Sequence, residues 1–165
     1  YSVKKDYGSV SLEEEIKLVD HYIYIINVRF AGDIQYSKQI DNRLIKVSVP
    51  AMILQPLVEN CVNHGIRGIE WEGRILLSVY RDNNKICVSV KDNGIGLSQE
   101  RIDQILSGKL QVSDENKDSN GVGLDNVIHR LSLFFGKEDV LCIKSDGPNL
   151  GTEFIIQIPL NEDNG

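Results

Sequence analysis

Two runs of alternating apolar and polar residues constrain the fold of this 165-residue chain more than any other feature. The runs cover residues 74–81 and 85–91, and the polar residues 82–84 separate them. A period of two is typical of strands that bury one face, and a short polar turn between two such runs predicts a β-hairpin. A similar pattern between residues 140 and 159, around the turn 146–149, predicts a second hairpin. The chain is therefore expected to contain an antiparallel sheet.

The N-terminal part of the chain has the pattern of an amphipathic helix. Ser11 and Glu14 have the spacing of a capping box, in which each side chain bonds the backbone N–H of the other residue. Apolar residues then recur at helical spacing as far as Phe30, and Ala31-Gly32 predicts the end of the helix. Its several aromatic residues indicate a packing partner, which is either the rest of the domain or a second chain.

Two more helices and one strand complete the predicted secondary structure. Helical spacing covers residues 56–64 and 124–135, and residues 33–40 show a weaker strand pattern. Residues 98–120 are polar, and residues 112–120 have nothing to bury, which predicts a flexible loop. Helices combined with two hairpins predict an α+β fold. We expect a two-layer α/β sandwich, in which helices cover one face of a mostly antiparallel mixed sheet, with an additional N-terminal helix.

Charge and cysteine content exclude several classes of protein. The net charge of −6 disfavours a general nucleic-acid-binding surface. The three cysteines are odd in number, lack CxxC spacing and lie among apolar residues, so we interpret them as reduced core residues of a cytosolic protein. No apolar run approaches the roughly 20 residues that a membrane-spanning helix needs. Because the sequence starts at Tyr1 without a methionine, we expect it to be part of a longer protein.

The segment LVENCVNHG, residues 57–65, combines an apolar helix face with a polar one. Asn60, Asn63 and His64 are three and four residues apart, so an α-helix would stack them on one side. An asparagine oxygen is a hard, neutral ligand that suits Mg²⁺ when phosphates supply further oxygens. The alternative is that these side chains simply face water.

The segment KDNGIGL, residues 91–97, follows the first hairpin. Asp92 ends a strand, where its carboxylate could accept a hydrogen bond from an exocyclic amine such as that of adenine. Gly94 and Gly96 permit positive φ and close approach of a ligand to the backbone. The alternative is a plain turn, for which DNG is a common sequence.

The segment SNGVGLDN, residues 119–126, has two glycines at the start of a predicted helix. Free N–H groups at a helix N-terminus bind anions such as phosphate. A Rossmann site is disfavoured because no strand precedes the glycines, and the chain has no GK[ST] of a P-loop. A helix start with a mobile lead-in is the alternative.

Taken in order, these segments resemble a known family. An Asn-bearing helix, DNGIGL, a polar loop, GVGL at a helix start and GTEF on a strand resemble the ATP-binding catalytic domain of two-component sensor histidine kinases, in the Bergerat-fold group. VPAMILQPLVENCVNHGI is similar to the N box of the YesM/LytS-like subgroup, and SLEEEIKLVDHYIYIINVRF is similar to its linking helix. The resemblance implies that residues 1–32 are the end of a dimerisation and linker region and that residues 33–165 are the catalytic domain.

The resemblance also implies roles for the matching residues. Asn60 corresponds to the asparagine that holds Mg²⁺ between the ATP phosphates, and Asp92 to the aspartate that pairs with the adenine amine. Glu59, Asn60 and His64 form the implied catalytic group, and residues 98–120 form a lid. The other positions implied to surround ATP are Asn63, His64, Gly94, Gly96, Leu97, Gly121, Val122, Gly123, Leu124, Asn126 and Thr152.

The implied activity is transfer of the γ-phosphate of ATP to a histidine and then to an aspartate of a response-regulator receiver domain. Relatives of this kind are homodimers, and the domain would be the cytoplasmic part of a bacterial membrane protein whose membrane segments lie outside this chain. The acceptor pattern of the subgroup, similar to PHFLYN, does not occur around His21, His64 or His129. We therefore expect the chain to bind ATP without phosphorylating itself.

Two alternatives stay open on the sequence. A Bergerat-fold ATPase would use a glutamate one helical turn before the metal-binding asparagine, but Pro56 occupies that position. Glu59 is adjacent to Asn60 and about 100° around the helix, which makes it a less suitable base. The second alternative is a non-catalytic module with a vestigial nucleotide pocket.

Overall fold

The computed structural model describes residues 8–29, 34–108 and 119–160 of the chain, with only the backbone described for residues 119–122. Seven strands lie in these ranges: β1 Ser9–Ser11, β2 Gln35–Ile40, β3 Ser48–Pro50, β4 Arg74–Asp82, β5 Lys85–Asp92, β6 Leu141–Lys144 and β7 Thr152–Pro159. Five of them form the main sheet in the order β2-β4-β5-β7-β6, and β1 pairs with β3 separately. In the main sheet β2 runs parallel to β4 and the other pairs are antiparallel, as predicted.

The register of β5 decides which of its side chains face the helices. Ile86, Val88 and Val90 are buried in the core, and Asp92 is the next residue on the same face of the strand. Asp92 is paired with Thr152 at the start of β7. The carboxylate therefore occupies the last position of an apolar row, at the edge of the core.

The helical layer contains α1 Leu12–Arg29, α2 Leu54–Asn60, a π-helical segment Cys61–Ile66, α3 Gln99–Ser107 and α4 Ser119–Phe135. The predicted helix at residues 56–64 is confirmed, but it begins two residues earlier and continues as a π-helix. Pro56 is its third residue, where the missing N–H removes no helical hydrogen bond.

One helix was not predicted. Residues 98–107 were expected to begin the polar lid, whereas α3 occupies most of that range. The Ser98 hydroxyl caps the helix by accepting from the Arg101 N–H at 3.1 Å, and Gly108 ends it with φ of 71°. Only Ile102 and Ile105 are buried, so the apolar spacing is too sparse to reveal a helix in the sequence. Residues 109–118 of the predicted lid lie outside the described residues, and residues 119–120, also predicted as lid, belong to α4.

The N-terminal helix α1 packs on the same core as the sheet. Its buried face consists of Leu12, Ile16, Val19 and Ile23. The predicted capping box is confirmed, because the Ser11 hydroxyl accepts from the Glu14 N–H at 3.2 Å and the Glu14 carboxylate accepts from the Ser11 N–H at 3.5 Å. The predicted packing partner of this helix is therefore the domain itself, at least on this face. None of the helices in the described ranges combines the length and apolar character needed to cross a bilayer.

Candidate functional site

The carboxylate of Asp92 is held by backbone groups from two parts of the chain. Asp92 is 3% exposed, and its Oδ1 accepts from the Gly94 N–H at 2.8 Å and from the Thr152 N–H at 3.2 Å. Burial raises the pKa of Asp92, while the hydrogen bonds from Gly94, Cys61 and Thr152 act in the opposite direction. The carboxylate therefore has a fixed orientation at the end of the sheet.

The π-helical segment supplies the other side of this carboxylate. A Cβ at Gly65 would lie 2.8 Å from Asp92 Oδ2, so only glycine lets the helix approach this closely. The thiol of Cys61, one helical turn earlier, is hydrogen-bonded to the same carboxylate, and burial raises the pKa of that thiol. Neither residue was predicted to belong to the site. The only local signal was that Cys61 and Gly65 are four residues apart on the helix that carries Asn60.

The glycines of DNGIGL were predicted to let a ligand approach the backbone, but in the structure they let other parts of the protein backbone approach. Gly94 does not have positive φ, and a Cβ there would overlap the backbone carbonyl of Gly65. Gly96 does have positive φ, at 80°, but a Cβ there would lie 2.6 Å from the carbonyl oxygen of Gly147. The close approach at both glycines is therefore to protein backbone. Gly151 is similar, because a Cβ at this residue would overlap the carbonyl of Asp92.

Hydrogen bonds fasten the loop that follows Asp92. The Ile95 N–H donates to the Gly65 carbonyl at 3.0 Å, which joins this loop to the π-helical segment. The half-buried Leu97 donates its N–H to the Ser145 hydroxyl at 3.1 Å, and that hydroxyl donates to the Gly151 carbonyl at 2.6 Å. The π-helical segment and the connection between β6 and β7 therefore fix the position of the loop.

A tryptophan lies beside the same loop. Trp71 Nε1 donates to the Asn93 carbonyl at 2.7 Å, and the indole is 41% exposed. The Asn93 side chain in turn accepts from the Arg74 N–H at 2.7 Å and donates to the Glu72 carbonyl at 2.8 Å. This network ties the residue next to Asp92 to the start of β4.

The three polar residues of the N-box segment do not share one environment. Asn60 is 9% exposed and is the last residue of α2, next to Cys61. His64 is half-buried, and Asn63 is exposed and lines a groove of about 690 Å³ beside the end of α1. Asn63 and His64 lie in the π-helical segment, where α-helical offsets of three and four no longer apply. The three side chains therefore differ in exposure, and their stacking on one side stays a prediction.

The glycines at residues 121 and 123 lie within helix α4, in its first two turns. Among the described residues, none lies within 4 Å of a Cβ built at Gly123. Asn126 is exposed one turn further on, and Leu124 is 1% exposed and anchors the helix in the core. For Gly121 and Val122 only the helical backbone is described. The helix was predicted to begin at the glycines, whereas it begins at Ser119, and the phosphate seat stays a prediction.

The site residues fit a nucleotide and a magnesium ion by their chemistry. Asp92 offers an oriented acceptor in an apolar setting, which suits the amino group of a purine. The amide of Asn60 offers one neutral oxygen, which suits Mg²⁺ that takes its other ligands from phosphates and water. Glu59 is half-buried and lies near Tyr22 of α1, whose pKa is raised to about 12 first by burial and then by the charge of Glu59.

Comparison with known proteins agrees with this geometry. Residues 48–162 match the family described as histidine kinase-, DNA gyrase B-, and HSP90-like ATPase. The chain is 31% identical over 147 residues to the sensor protein LytS of Oceanobacillus iheyensis, covering 89% of this chain and 25% of the relative. It is 30% identical to the sensor histidine kinase YesM of Bacillus subtilis, covering 95% of this chain and 25% of the relative. The chain thus spans about a quarter of the length of these curated relatives.

Solved structures confirm the fold. The catalytic domain of histidine kinase ThkA has a TM-score of 0.66 at 20% identity, covering 92% of this chain and 96% of that domain. The mycobacterial sensor histidine kinase MprB has a TM-score of 0.63 at 18% identity, covering 93% of this chain and 97% of that structure. The predicted two-layer sandwich is therefore confirmed. The chain belongs to the family described as histidine kinase-, DNA gyrase B-, and HSP90-like ATPase, and it is similar to a part of the sensor kinases LytS and YesM.

Proposed function

We propose that this chain is the ATP-binding catalytic domain of a sensor histidine kinase and that Asp92 and Asn60 hold the two ends of Mg-ATP. The single observation that carries the proposal is the environment of Asp92. Oδ1 accepts from two backbone amides, the Cys61 thiol bonds the same carboxylate, and Oδ2 lies close to Gly65 on the helix that carries Asn60. Such a carboxylate is fixed in orientation and keeps acceptor capacity for a ligand.

In this proposal adenine binds against the end of the sheet. The Asp92 carboxylate accepts a hydrogen bond from the adenine amino group, and Thr152, Gly96 and Leu97 shape the surrounding pocket. An oriented, buried carboxylate that can accept one more hydrogen bond from the ligand gives selectivity for the amino group. Guanine, which presents a carbonyl at the corresponding position, would leave two acceptors facing each other.

The triphosphate extends from this pocket towards helix α4. The first turns of α4, at Gly121 and Gly123, and the side chain of Asn126 receive the phosphates, and His64 lies near them. Asn60 is the protein ligand for Mg²⁺, and Asn63 is the least supported member of the predicted set because it lines the groove beside α1. When bound, Mg²⁺ supplies charge neutralisation for the transferred phosphoryl group.

The reaction proposed is phosphoryl transfer to a histidine outside these 165 residues. The imidazole nitrogen forms a bond to the γ-phosphorus as the bond from that phosphorus to the β,γ-bridging oxygen breaks, and ADP leaves. Later transfer goes to an aspartate of a response-regulator receiver domain. We further propose that the whole protein is a homodimer and that any membrane attachment comes from segments outside this chain. The division into residues 1–32 and 33–165 also remains part of the proposal.

Isothermal titration of the chain with Mg-ATP tests the nucleotide site. We expect saturable binding that is weaker for Mg-GTP, and no heat signal at millimolar Mg-ATP would favour the non-catalytic module. A second assay uses γ-labelled ATP with the chain alone. Because none of its histidines lies in the acceptor pattern, we expect no labelled histidine, and labelling would contradict that part of the proposal.

The ATPase alternative depends on Glu59. Its carboxylate is half-buried near Tyr22, and Pro56 occupies the position of the water-activating glutamate in such ATPases. We expect negligible steady-state ATP hydrolysis by this chain, with no further loss in Glu59→Gln. Robust turnover that is abolished by Glu59→Gln would favour the ATPase.

A further inference from the structure

Glu15 of α1 is a buried carboxylate that binds three consecutive backbone amides. Its side chain is 1% exposed, although it follows two other glutamates in the first turn of the helix. Oε1 accepts from the N–H groups of Ile53 at 2.8 Å and Leu54 at 3.0 Å, and Oε2 accepts from the N–H of Met52 at 2.9 Å. Both oxygens are therefore engaged with one short stretch of backbone.

These amides belong to the start of α2, the helix that leads to Asn60. The first amides of a helix have no partner within it, and the N-cap residue Ile53 provides no side-chain cap. Glu15 supplies that cap from a different helix, with the negative charge that a helix N-terminus favours. A buried carboxylate is costly unless its hydrogen bonds are complete, so the position of α2 relative to α1 is strongly fixed.

The same stretch is also held from α4. Arg130 Nη1 donates to the Met52 carbonyl at 3.2 Å. Met52 has φ of 60°, a left-handed conformation that is unfavourable for a residue with a side chain. Its N–H therefore contacts α1 while its C=O contacts the helix that carries Gly123. Met52 joins three helices of the candidate site.

The distance from this cap to the site is short. Helix α2 has seven residues, so Asn60 lies about 9 Å along the axis from Leu54. Cys61 and Gly65, which contact Asp92, continue from the same helix. A shift at the N-terminus of α2 would therefore displace both the proposed magnesium ligand and the partners of the adenine-binding carboxylate.

We propose that Glu15 is a positioning residue of the nucleotide site, which makes ATP binding and the packing of α1 depend on each other. This inference rests on the proposed function of the site. By reciprocity, if α1 sets the affinity for ATP, then ATP must stabilise the packing of α1 to the same degree. Binding of ATP would thus stabilise the packing of α1, and weaker packing of α1 would lower the affinity for ATP.

Glu15→Gln tests this directly because it keeps the shape of the side chain and replaces one acceptor by an N–H₂ donor. At a temperature where the variant is fully folded, we expect the Kd for Mg-ATP to rise about tenfold. This is the low end of the roughly 10- to 100-fold losses of affinity that follow mutation of a residue that supports a metal ligand. A purely structural role would lower the Tm without changing the Kd of the folded protein. Glu13→Gln is the matched control, since Glu13 lies on the same helix and pairs with the exposed Lys46, and its Kd should equal that of the wild type.

Two further measurements remain informative if Glu15→Gln does not fold. Arg130→Met removes the bond to the Met52 carbonyl and keeps the apolar stem, and we expect a smaller increase in Kd in the same direction. Hydrogen exchange gives the reciprocal readout. In the wild type, Mg-ATP should slow the exchange of amides at residues 16–23 of α1, and in Arg130→Met or folded Glu15→Gln this protection should be reduced.

The outcomes separate the inference from the function on which it rests. If the wild type does not bind Mg-ATP, the proposed function fails. If the wild type binds but Arg130→Met, and Glu15→Gln where it folds, have wild-type Kd values and unchanged protection of α1, the positioning role is refuted. Weakened binding with reduced protection of α1 supports it.

Discussion

Asp92→Asn should separate nucleotide binding from stability. The asparagine retains the shape of the side chain, and its oxygen can still accept from the amides of Gly94 and Thr152, which lie 2.8 and 3.2 Å from Asp92 Oδ1. The other position becomes an N–H₂ group facing Gly65 and the proposed adenine amine. A donor then meets a donor at the point where the ligand needs an acceptor.

The expected loss of affinity follows from the kind of hydrogen bond removed. Hydrogen bonds to charged groups contribute about 1.5–3 kcal/mol. The Kd for Mg-ATP should therefore rise by roughly 10- to 150-fold, at about 1.4 kcal/mol for each factor of ten. Protonation should weaken binding similarly, so wild-type affinity should fall as the pH falls through the raised pKa of Asp92.

The expected effect on stability has the opposite sign. Burial raises the pKa of Asp92 above its ordinary 3.8, so the folded state holds this proton more tightly than the unfolded state. As the pH rises from 3.8 through the raised value, the stabilising contribution of the protonated carboxyl is lost, and above it the ionised carboxylate carries a desolvation penalty. Asp92→Asn removes this penalty. At pH 7 and without nucleotide, the variant should unfold at a temperature equal to or above that of the wild type.

Titration calorimetry with Mg-ATP and thermal unfolding of the free protein between pH 4 and pH 8 check both expectations. Asp82→Asn, at the exposed opposite end of the same hairpin, is the matched control and should change neither quantity. Wild-type affinity in folded Asp92→Asn would refute the adenine contact. A large loss of stability at pH 7 would refute the account of the buried charge.

Three further substitutions test other parts of the site. Gly94→Ala should destabilise the protein by about 1–3 kcal/mol in denaturant unfolding, because the added methyl overlaps the backbone carbonyl of Gly65; wild-type stability would contradict that packing. Gly123→Ala should stabilise helix α4 by about 0.5–1 kcal/mol, since a Cβ there meets nothing within 4 Å, yet weaken ATP binding if phosphates approach this backbone. Asn60→Ala should remove the difference in ATP affinity between Mg²⁺ and EDTA, whereas Asn63→Ala should retain it; equal behaviour of the two variants would argue against Asn60 as the magnesium ligand.

The hairpins of the main sheet and the position of Asp92 at the end of a strand were predictable because the residue patterns that indicate them are local. Alternating residues gave both hairpins and placed Asp92 at the end of a strand, where its register then buries it. The partners of that carboxylate were not predictable in the same way. Cys61 and Gly65 contact it from about 30 residues away, and no spacing within either segment shows that contact.

The contacts of the charged residue Glu15 could also not be predicted from the sequence. Glu13, Glu14 and Glu15 all suit the start of a helix as acidic residues, and Glu14 also completes the capping box. Helical spacing puts Glu15 on the same face as Leu12 and Val19, but only the tertiary structure shows that its carboxylate binds the amides at the start of α2. Helix α3 was missed for a related reason, because two buried side chains in nine residues leave almost no periodic signal.

The contact of Trp71 with the loop after Asp92 has a practical consequence. Trp71 is the only tryptophan of the chain, and its indole N–H bonds the carbonyl of Asn93 while part of the ring remains open to water. Indole emission responds to changes in hydration and in the strength of that bond. The protein thus contains a natural fluorophore bonded to the residue next to Asp92, and we expect binding of a ligand at Asp92 to change its emission without any attached dye.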